Sequence, residues 1–187
     1  VLKELELSEL IYAGQDWGGP IGMGALALSP NLLKGAVLLN TGFNAPTEDR
    51  DLSPAHATVK TPIVGEMIIE VVFSIFERLK AVQGDPNSWT PEIAELYGKP
   101  VYDSGNYKAP LAMMRMVPDG PNHPSTPALR KIEEYVESLE IPAEIVWGMN
   151  DPILGKGLSV MKTNFPDAPV TKTNAGHFLQ ELSLIHI

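Results

Sequence analysis

The chain has 187 residues, 44% of them apolar, which is enough for a packed core, and its 14 Lys and Arg against 23 Asp and Glu leave a net charge of −9. That balance, with no basic stripe, excludes an electrostatic grip on a nucleic-acid backbone or an anionic membrane surface. Zero cysteines exclude disulfides, thiolate metal sites and a thiol nucleophile, and His56, His123, His177 and His186 show no metal-ligand spacing, so no metal and no cofactor are expected.

The chain opens on Val1 and runs directly into Leu-Lys-Glu-Leu-Glu-Leu, which reads as the tail of a helix and as the beginning of a fragment. Residues 9–14 (Glu-Leu-Ile-Tyr-Ala-Gly) form a short apolar run of the kind shown by a strand buried on both faces. A glycine-bounded turn follows, then an Ala-, Leu- and Met-rich helix over residues 19–29, with Pro20 near its start and Pro30 as its stop. Residues 35–40 (Gly-Ala-Val-Leu-Leu-Asn) predict a second buried strand. Strand, helix and strand so close together make a βαβ unit with parallel strands.

The next strand is expected at residues 143–147, after a helix that starts at Thr126 and carries the apolar stripe Leu129, Ile132, Val136 and Leu139. Roughly 100 residues separate Asn40 from that strand, too many for an ordinary crossover. The expected division is therefore a core from residues 1–40 and 119–181, with a helical insertion over 41–118 that reads as a lid. Within the insertion, residues 64–80 and 91–97 have helical character. A weak helix around 157–165 and a last strand over 169–174 complete the core. The longest apolar run, residues 67–76, is interrupted by Glu70 and is far shorter than the roughly 20 residues a membrane span requires. Residues 182–187 (Leu-Ser-Leu-Ile-His-Ile) resemble translated sequencing adapter and are expected to be a non-native tail.

The most specific local signal is Gly14-Gln15-Asp16-Trp17-Gly18, a G-x-D-x-G pentapeptide between a predicted strand and a predicted helix. A nucleophile held at the apex of such a turn has a strained backbone, and the positions two before and two after it are expected to be too crowded for anything but glycine. Here the apex residue is Asp16, placed where helix N–H groups and the helix dipole favour its ionised form. The glycine spacing fits neither dinucleotide nor P-loop patterns. A turn of purely structural use is the alternative.

An aspartate nucleophile needs a base to activate water, and the base needs an acid to orient it. Asp151, in Gly148-Met149-Asn150-Asp151-Pro152, follows one predicted strand, and His177, in Asn174-Ala175-Gly176-His177-Phe178, follows the last. Either residue alone reads as ordinary turn chemistry. Their joint order after Asp16, each beyond the carboxyl end of a parallel strand, is what raises them. Asn40 ends the second strand at a rival position for the acid, but an amide carries no charge to offer an imidazolium. It is expected to support the site rather than react.

With those residues in view, the chain resembles the C-terminal part of a haloalkane dehalogenase of the α/β-hydrolase superfamily. The resemblance is carried by Gly14-Gln15-Asp16-Trp17-Gly18-Gly19, by residues 147–155 (Trp-Gly-Met-Asn-Asp-Pro-Ile-Leu-Gly) and by residues 175–181 (Ala-Gly-His-Phe-Leu-Gln-Glu). It implies a partial parallel sheet with an inserted helical cap, and the subfamily that places its acid after the later strand. It also implies a mechanism. Asp16 displaces halide from a small apolar substrate, and His177, oriented by Asp151, directs water onto the resulting ester.

Trp17 would bind halide through its indole N–H and supply half of an oxyanion hole through its backbone N–H. The family's second halide donor is a cap tryptophan, and Trp89 is the one tryptophan of the insertion, in a context that does not identify it. The family's first strands and the loop completing the oxyanion hole fall upstream of Val1. Phe43, Phe73 and Phe76 could line a pocket or simply fill the core. Epoxide hydrolysis is the alternative reading, since it uses the same Asp-His-Asp set together with cap tyrosines, for which Tyr97, Tyr102 and Tyr107 are available. A third reading is that this 187-residue chain is inert, the strand that delivers Asp16 being left as an exposed edge.

Overall fold

The computed structural model describes residues 2, 4–72 and 75–183, and the chain divides into two compact units. The first comprises Val1–Asn44, Val82–Gly84 and Ala128–Ile187, and the second Ala45–Ala81 and Asp85–Pro127. Residues 82–84, which the sequence reading assigns to the insertion, thus group with the core unit.

The first unit is built on four parallel strands in the order β1 (Leu10–Gln15), β2 (Leu33–Leu39), β3 (Ala143–Gly148) and β4 (Val170–Thr173). Helix α1 (Gly18–Ala27) links β1 to β2, α2 (Thr126–Glu137) leads into β3, α3 (Leu158–Asn164) lies between β3 and β4, and α4 (Leu179–Ser183) follows β4. Because side chains alternate across a strand, β2 and β3 present Ala36, Leu38, Ile145 and Trp147 to one face and Val37, Leu39 and Val146 to the other. The first set is buried with Met23 and Leu26 of α1, Val136 of α2 and Met161 of α3. The second packs against Ala175 and Leu179. Of the stripe expected on α2, Val136 is buried in the first cluster with Ile132 and Leu139 packed partly buried against it, while Leu129 is buried without belonging to that cluster.

Two expectations near the amino end need correction. The described residues among 1–9 form a turn and an extended lead into β1 rather than a helix end. Strand β1 pairs only with β2 among the described residues, and in this chain it is not buried on both faces, since Ile11 is 77% exposed. A run of apolar letters cannot tell an edge strand from a central one, since the difference lies in what pairs beside it.

The second unit is helical, with Pro54–Lys60, Pro91–Ser104 and Lys108–Arg115 as its main helices. Ser53 and Thr90 cap the first two through side-chain oxygens, each followed by proline at the first helical position. The helix expected at 91–97 runs on to Ser104 through Pro100, and it stops where Gly105 adopts φ 65° and the N–H of Asn106 reaches back to the Val101 carbonyl. The helix expected over 64–80 is broken: Val64–Glu66 is followed by a π-helical stretch, Met67–Val72, then by Ile75–Arg78 and a 3-10 turn. Arg115 ties this unit together, donating Nε to the Val59 carbonyl (2.9 Å) and both terminal nitrogens to the Glu66 carboxylate (2.6 and 3.0 Å). No helix among the described residues is long and apolar enough to cross a membrane. Of the tail read as non-native, residues 184–187 lie outside the described residues, as does Phe73.

Candidate active site

Strand β1 ends at Gln15 and α1 begins at Gly18, so the chain turns from strand to helix on two residues. Asp16 takes φ 46°, in the left-handed region that costs a side-chain-bearing residue on the order of 1–2 kcal/mol. Several bonds hold it there. Its N–H donates to the Asn40 carbonyl (3.0 Å), and its own carbonyl accepts from the Gly19 N–H (3.1 Å) and from the Thr41 hydroxyl (2.7 Å).

The crowding around the apex differs from the expected pattern. A Cβ on Gly14 would sit 2.7 Å from the Tyr12 ring, as anticipated two residues before Asp16. Two residues after it there is room, since a Cβ on Gly18 would find nothing nearer than the Tyr12 hydroxyl at 4.0 Å. The tight position is Gly19, where a Cβ would collide with the Thr41 side chain.

The other candidates come to the same end of the sheet. Asp151 lies in the loop after β3 and His177 in the loop after β4, and each is only 5% exposed. His177 Nδ1 is 3.0 Å from Asp151 Oδ2, and His177 Nε2 faces Asp16 Oδ2 at 3.8 Å. The second oxygen of Asp151 accepts the Ile153 N–H at 2.7 Å. Asn40, fully buried, donates Nδ2 to Asp151 Oδ2 (2.8 Å) and to the Gly148 carbonyl (3.0 Å), while its Oδ1 accepts the Gly148 N–H (2.7 Å). A carboxylate, an imidazole and a second carboxylate therefore stand in line, with an amide bracing the far end.

A sequence profile described as alpha/beta hydrolase fold matches residues 1–184. This chain belongs to that family. A haloalkane dehalogenase from Mycolicibacterium paratuberculosis is 29% identical over 182 residues, covering 96% of this chain and 58% of that protein. A cis-3-alkyl-4-alkyloxetan-2-one decarboxylase from Shewanella oneidensis is also 29% identical, over 97% of this chain and 58% of its own length. Among solved structures, the haloalkane dehalogenase DbeA from Bradyrhizobium elkani USDA94 superposes with a TM-score of 0.81 at 21% identity, over 96% of this chain and 64% of that one. The likeness to haloalkane dehalogenases thus runs along nearly the whole chain, which spans about 58% of the length of these curated relatives.

In this alpha/beta hydrolase the electrostatics of the line follow from its geometry. Burial alone works against a charged imidazole at His177. The hydrogen bond to Asp151, the contact with Asp16 and the charges of both carboxylates outweigh it, raising His177 from 6.5 to about 9. Burial likewise opposes charge on Asp151, but its bonds to His177, Ile153 and Asn40 and the attraction of His177 prevail, and its pKa falls below the ordinary value.

The stabilising effect of the raised His177 is fully present below its unfolded value of 6.5 and is lost as pH rises through about 9. The effect of the depressed Asp151 is present above its ordinary 3.8 and is lost as pH falls through its lower folded value. Asp16→Asn removes one carboxylate from the line. In that variant His177 is expected to titrate at lower pH and the alkaline loss of stability to be smaller. Nuclear magnetic resonance titration of the ring and urea unfolding across the alkaline range check this, and identical curves for both proteins would show that Asp16 exerts no hold on the imidazole.

Trp17 is half-buried beside the apex. Trp89 donates its indole N–H to the Phe76 carbonyl (2.8 Å) and Trp147 donates to the Gly155 carbonyl (2.9 Å). Trp17 is thus the one tryptophan whose indole N–H has no acceptor among the described residues, while Trp89, weighed as a second halide donor, has its donor engaged. Phe43 is fully buried and meets Phe165 edge-on, so it fills the core rather than lining a pocket. No group of three or more His, Cys, Asp or Glu side chains among the described residues is disposed to hold a metal.

Sequence reasoning missed three polar residues that hold the line. Thr41 fixes the Asp16 carbonyl, Gln15 Nε2 donates to the His177 carbonyl (3.0 Å), and Gln83 grips the residue after His177. Gln15 and Thr41 sit beside residues already singled out, which is the only signal the letters offer. Gln83 has none.

Proposed function

We propose that the protein is a hydrolase that cleaves carbon–halogen bonds of small haloalkanes through an ester on Asp16. An Asp16 oxygen attacks the carbon bearing the halogen, the C–O bond forms as the carbon–halogen bond breaks, and the halide leaves with the bonding pair. Water then attacks Cγ of Asp16 while His177 Nε2 takes its proton. The tetrahedral intermediate collapses, the alcohol leaves with a proton returned by His177, and the second proton of the water passes from Asp16 to solvent, which restores the carboxylate. Asp151 keeps the imidazole oriented and offsets its charge. The Trp17 indole N–H solvates the departing halide, and its main-chain N–H faces the oxyanion of the second step.

The observation that carries this reading is a carboxylate, not a hydroxyl, at the strained apex, 3.8 Å from a histidine backed by a second buried carboxylate. Halide as leaving group is supported by the uncommitted Trp17 indole and by the dehalogenase relatives. The decarboxylase relative, at equal identity, supports a second reading in which the same carboxylate acts on a strained four-membered lactone. Epoxide opening is a further alternative. It would need phenol donors, and Tyr102 and Tyr107 have ring centroids 6.2 Å apart.

A panel of short bromoalkanes, terminal epoxides and cis-dialkyl β-lactones, given to the full-length protein, separates these readings. Bromide release is expected, and a single turnover in 18O-labelled water should place the label on Asp16 and leave it out of the alcohol. Diol or carbon dioxide without bromide would overturn the dehalogenase assignment. The 187-residue chain tested alone is expected to self-associate through the exposed β1 edge and to release none.

A further inference from the structure

The loop that carries His177 is irregular between β4 and α4, so its main chain has no ladder to hold it. Its polar groups are nevertheless engaged. The His177 N–H donates to the Val82 carbonyl (2.8 Å) and the His177 carbonyl accepts from Gln15. The Phe178 N–H donates to Gln83 Oε1 (3.0 Å), and Gln83 Nε2 donates back to the Phe178 carbonyl (3.4 Å).

Val82 and Gln83 belong to residues 82–84, the short stretch that joins the first unit although the chain on both sides of it belongs to the second. Two glycines let this strap lie backbone to backbone against the loop. A Cβ on Gly84 would come 2.5 Å from the Asn174 carbonyl and 2.8 Å from the Gly176 nitrogen, and one on Gly176 would strike the strap itself. Gln83 is only 7% exposed and spends both ends of its amide on one residue. A buried amide paired in this way fixes a position and a direction at once.

We propose that Gln83 is a positioning residue for His177, required for the hydrolysis of the Asp16 ester and not for its formation. The inference rests on the ester mechanism above. Gln83 touches neither the imidazole nor Asp16 in any contact the structure shows, so its effect must pass through the backbone of residues 177 and 178. Halide displacement uses the Asp16 carboxylate and the Trp17 indole and does not depend on where the imidazole points. Water activation does, because a general base must stay within hydrogen-bond reach of the proton it takes.

The test uses the full-length protein with a short bromoalkane, comparing Gln83→Met, which keeps length and loses both hydrogen bonds, with Gln83→Glu, which keeps the acceptor for the Phe178 N–H. In Gln83→Met the bromide burst should keep its rate within about twofold while ester hydrolysis slows about tenfold or more. Alkylated Asp16 should accumulate by mass spectrometry, and kcat and KM should fall together with kcat/KM held. Gln83→Glu should recover part of the hydrolysis rate. Equal losses in burst and hydrolysis, as general destabilisation would give, or no change in either step, would overturn the proposal.

His177→Gln serves as the control for the chemistry, since failure of that variant to accumulate ester refutes the ester mechanism rather than the role of Gln83. In that event the imidazole titration of the unliganded protein decides. Gln83→Met should lower the His177 pKa as the bond to Asp151 loosens, and an unchanged titration would overturn the positioning role. Should Gln83→Met not fold, Gln83→Glu carries the same comparison, with a smaller but selective loss of hydrolysis expected and an equal loss in both steps refuting the role.

Discussion

Replacing His177 with Gln in the full-length protein is expected to release one bromide per site at the wild-type rate and then stop, leaving a protein heavier by one alkyl group on the peptide that carries Asp16. The hydrolysis step should slow by a factor on the order of 10²–10⁴, the usual range for a lost general base. Asp16→Ala, by contrast, should give neither burst nor adduct. The separation follows from the charge state of the line. In the free protein the two carboxylates favour the charged imidazole and raise the His177 pKa to about 9, which works against a role as base at neutral pH. On the proposed mechanism, alkylation would turn Asp16 into a neutral ester and remove one of the two carboxylates that support the imidazolium, so the first step would lower the His177 pKa toward what the second requires. Loss of the burst in His177→Gln would mean that the histidine acts before the ester forms. Rapid-quench bromide release, read beside intact-protein mass, distinguishes the outcomes.

The parts of this site that were legible in the sequence are those written in short stretches of chain. Asp16 could be singled out because its strained turn needs a strand before it, a helix after it and glycines around it, all within a dozen letters. Asp151 and His177 were legible by order alone, since each follows an expected strand, an apolar one before Asp151 and the largely polar Val170–Thr173 before His177. What the letters could not give was whatever depends on residues far apart in sequence. The exposure of Ile11 is set by which strands lie beside β1, and the tightness at Gly19, rather than at Gly18, is set by Thr41. The helix expected over 91–97 runs through Pro100 to Ser104, because one missing N–H is tolerated where the flanking turns persist. The contact of Gln83 with Phe178 spans 95 positions and leaves no mark in either neighbourhood. Even Asn40, visible as a polar residue closing an apolar strand, gave no hint that its carbonyl holds the Asp16 N–H while its side chain holds Asp151.

That double use makes Asn40→Leu the substitution with the largest expected cost to stability. Leucine keeps the branched shape of asparagine but loses its donor and acceptor, and position 40 stands at φ 29°, which asparagine tolerates better than leucine, so lost hydrogen bonds and added backbone strain both count. The pairing of β2 with β3 ends at Leu39 opposite Val146, and beyond it the Asn40 amide takes the place of the next main-chain partner, accepting from the Gly148 N–H and donating to the Gly148 carbonyl. With leucine there, the Gly148 N–H loses the partner that Asn40 supplies, whereas the Gly148 carbonyl still accepts from the Asp151 N–H at 3.3 Å. The buried Asp151 carboxylate loses a donor as well. One stranded N–H at about 1–3 kcal/mol and one weakened hydrogen bond to a charged group together predict a loss of about 3 kcal/mol, before the strain of leucine at φ 29° is added. The Asn40 carbonyl survives the change, so the turn at Asp16 should persist and ester formation should continue. Asp151, less firmly held, should orient His177 less well, and ester hydrolysis should fall about tenfold. Urea unfolding combined with single-turnover kinetics checks both halves, and a stable Asn40→Leu protein with an unimpaired second step would show that the amide contributes to neither.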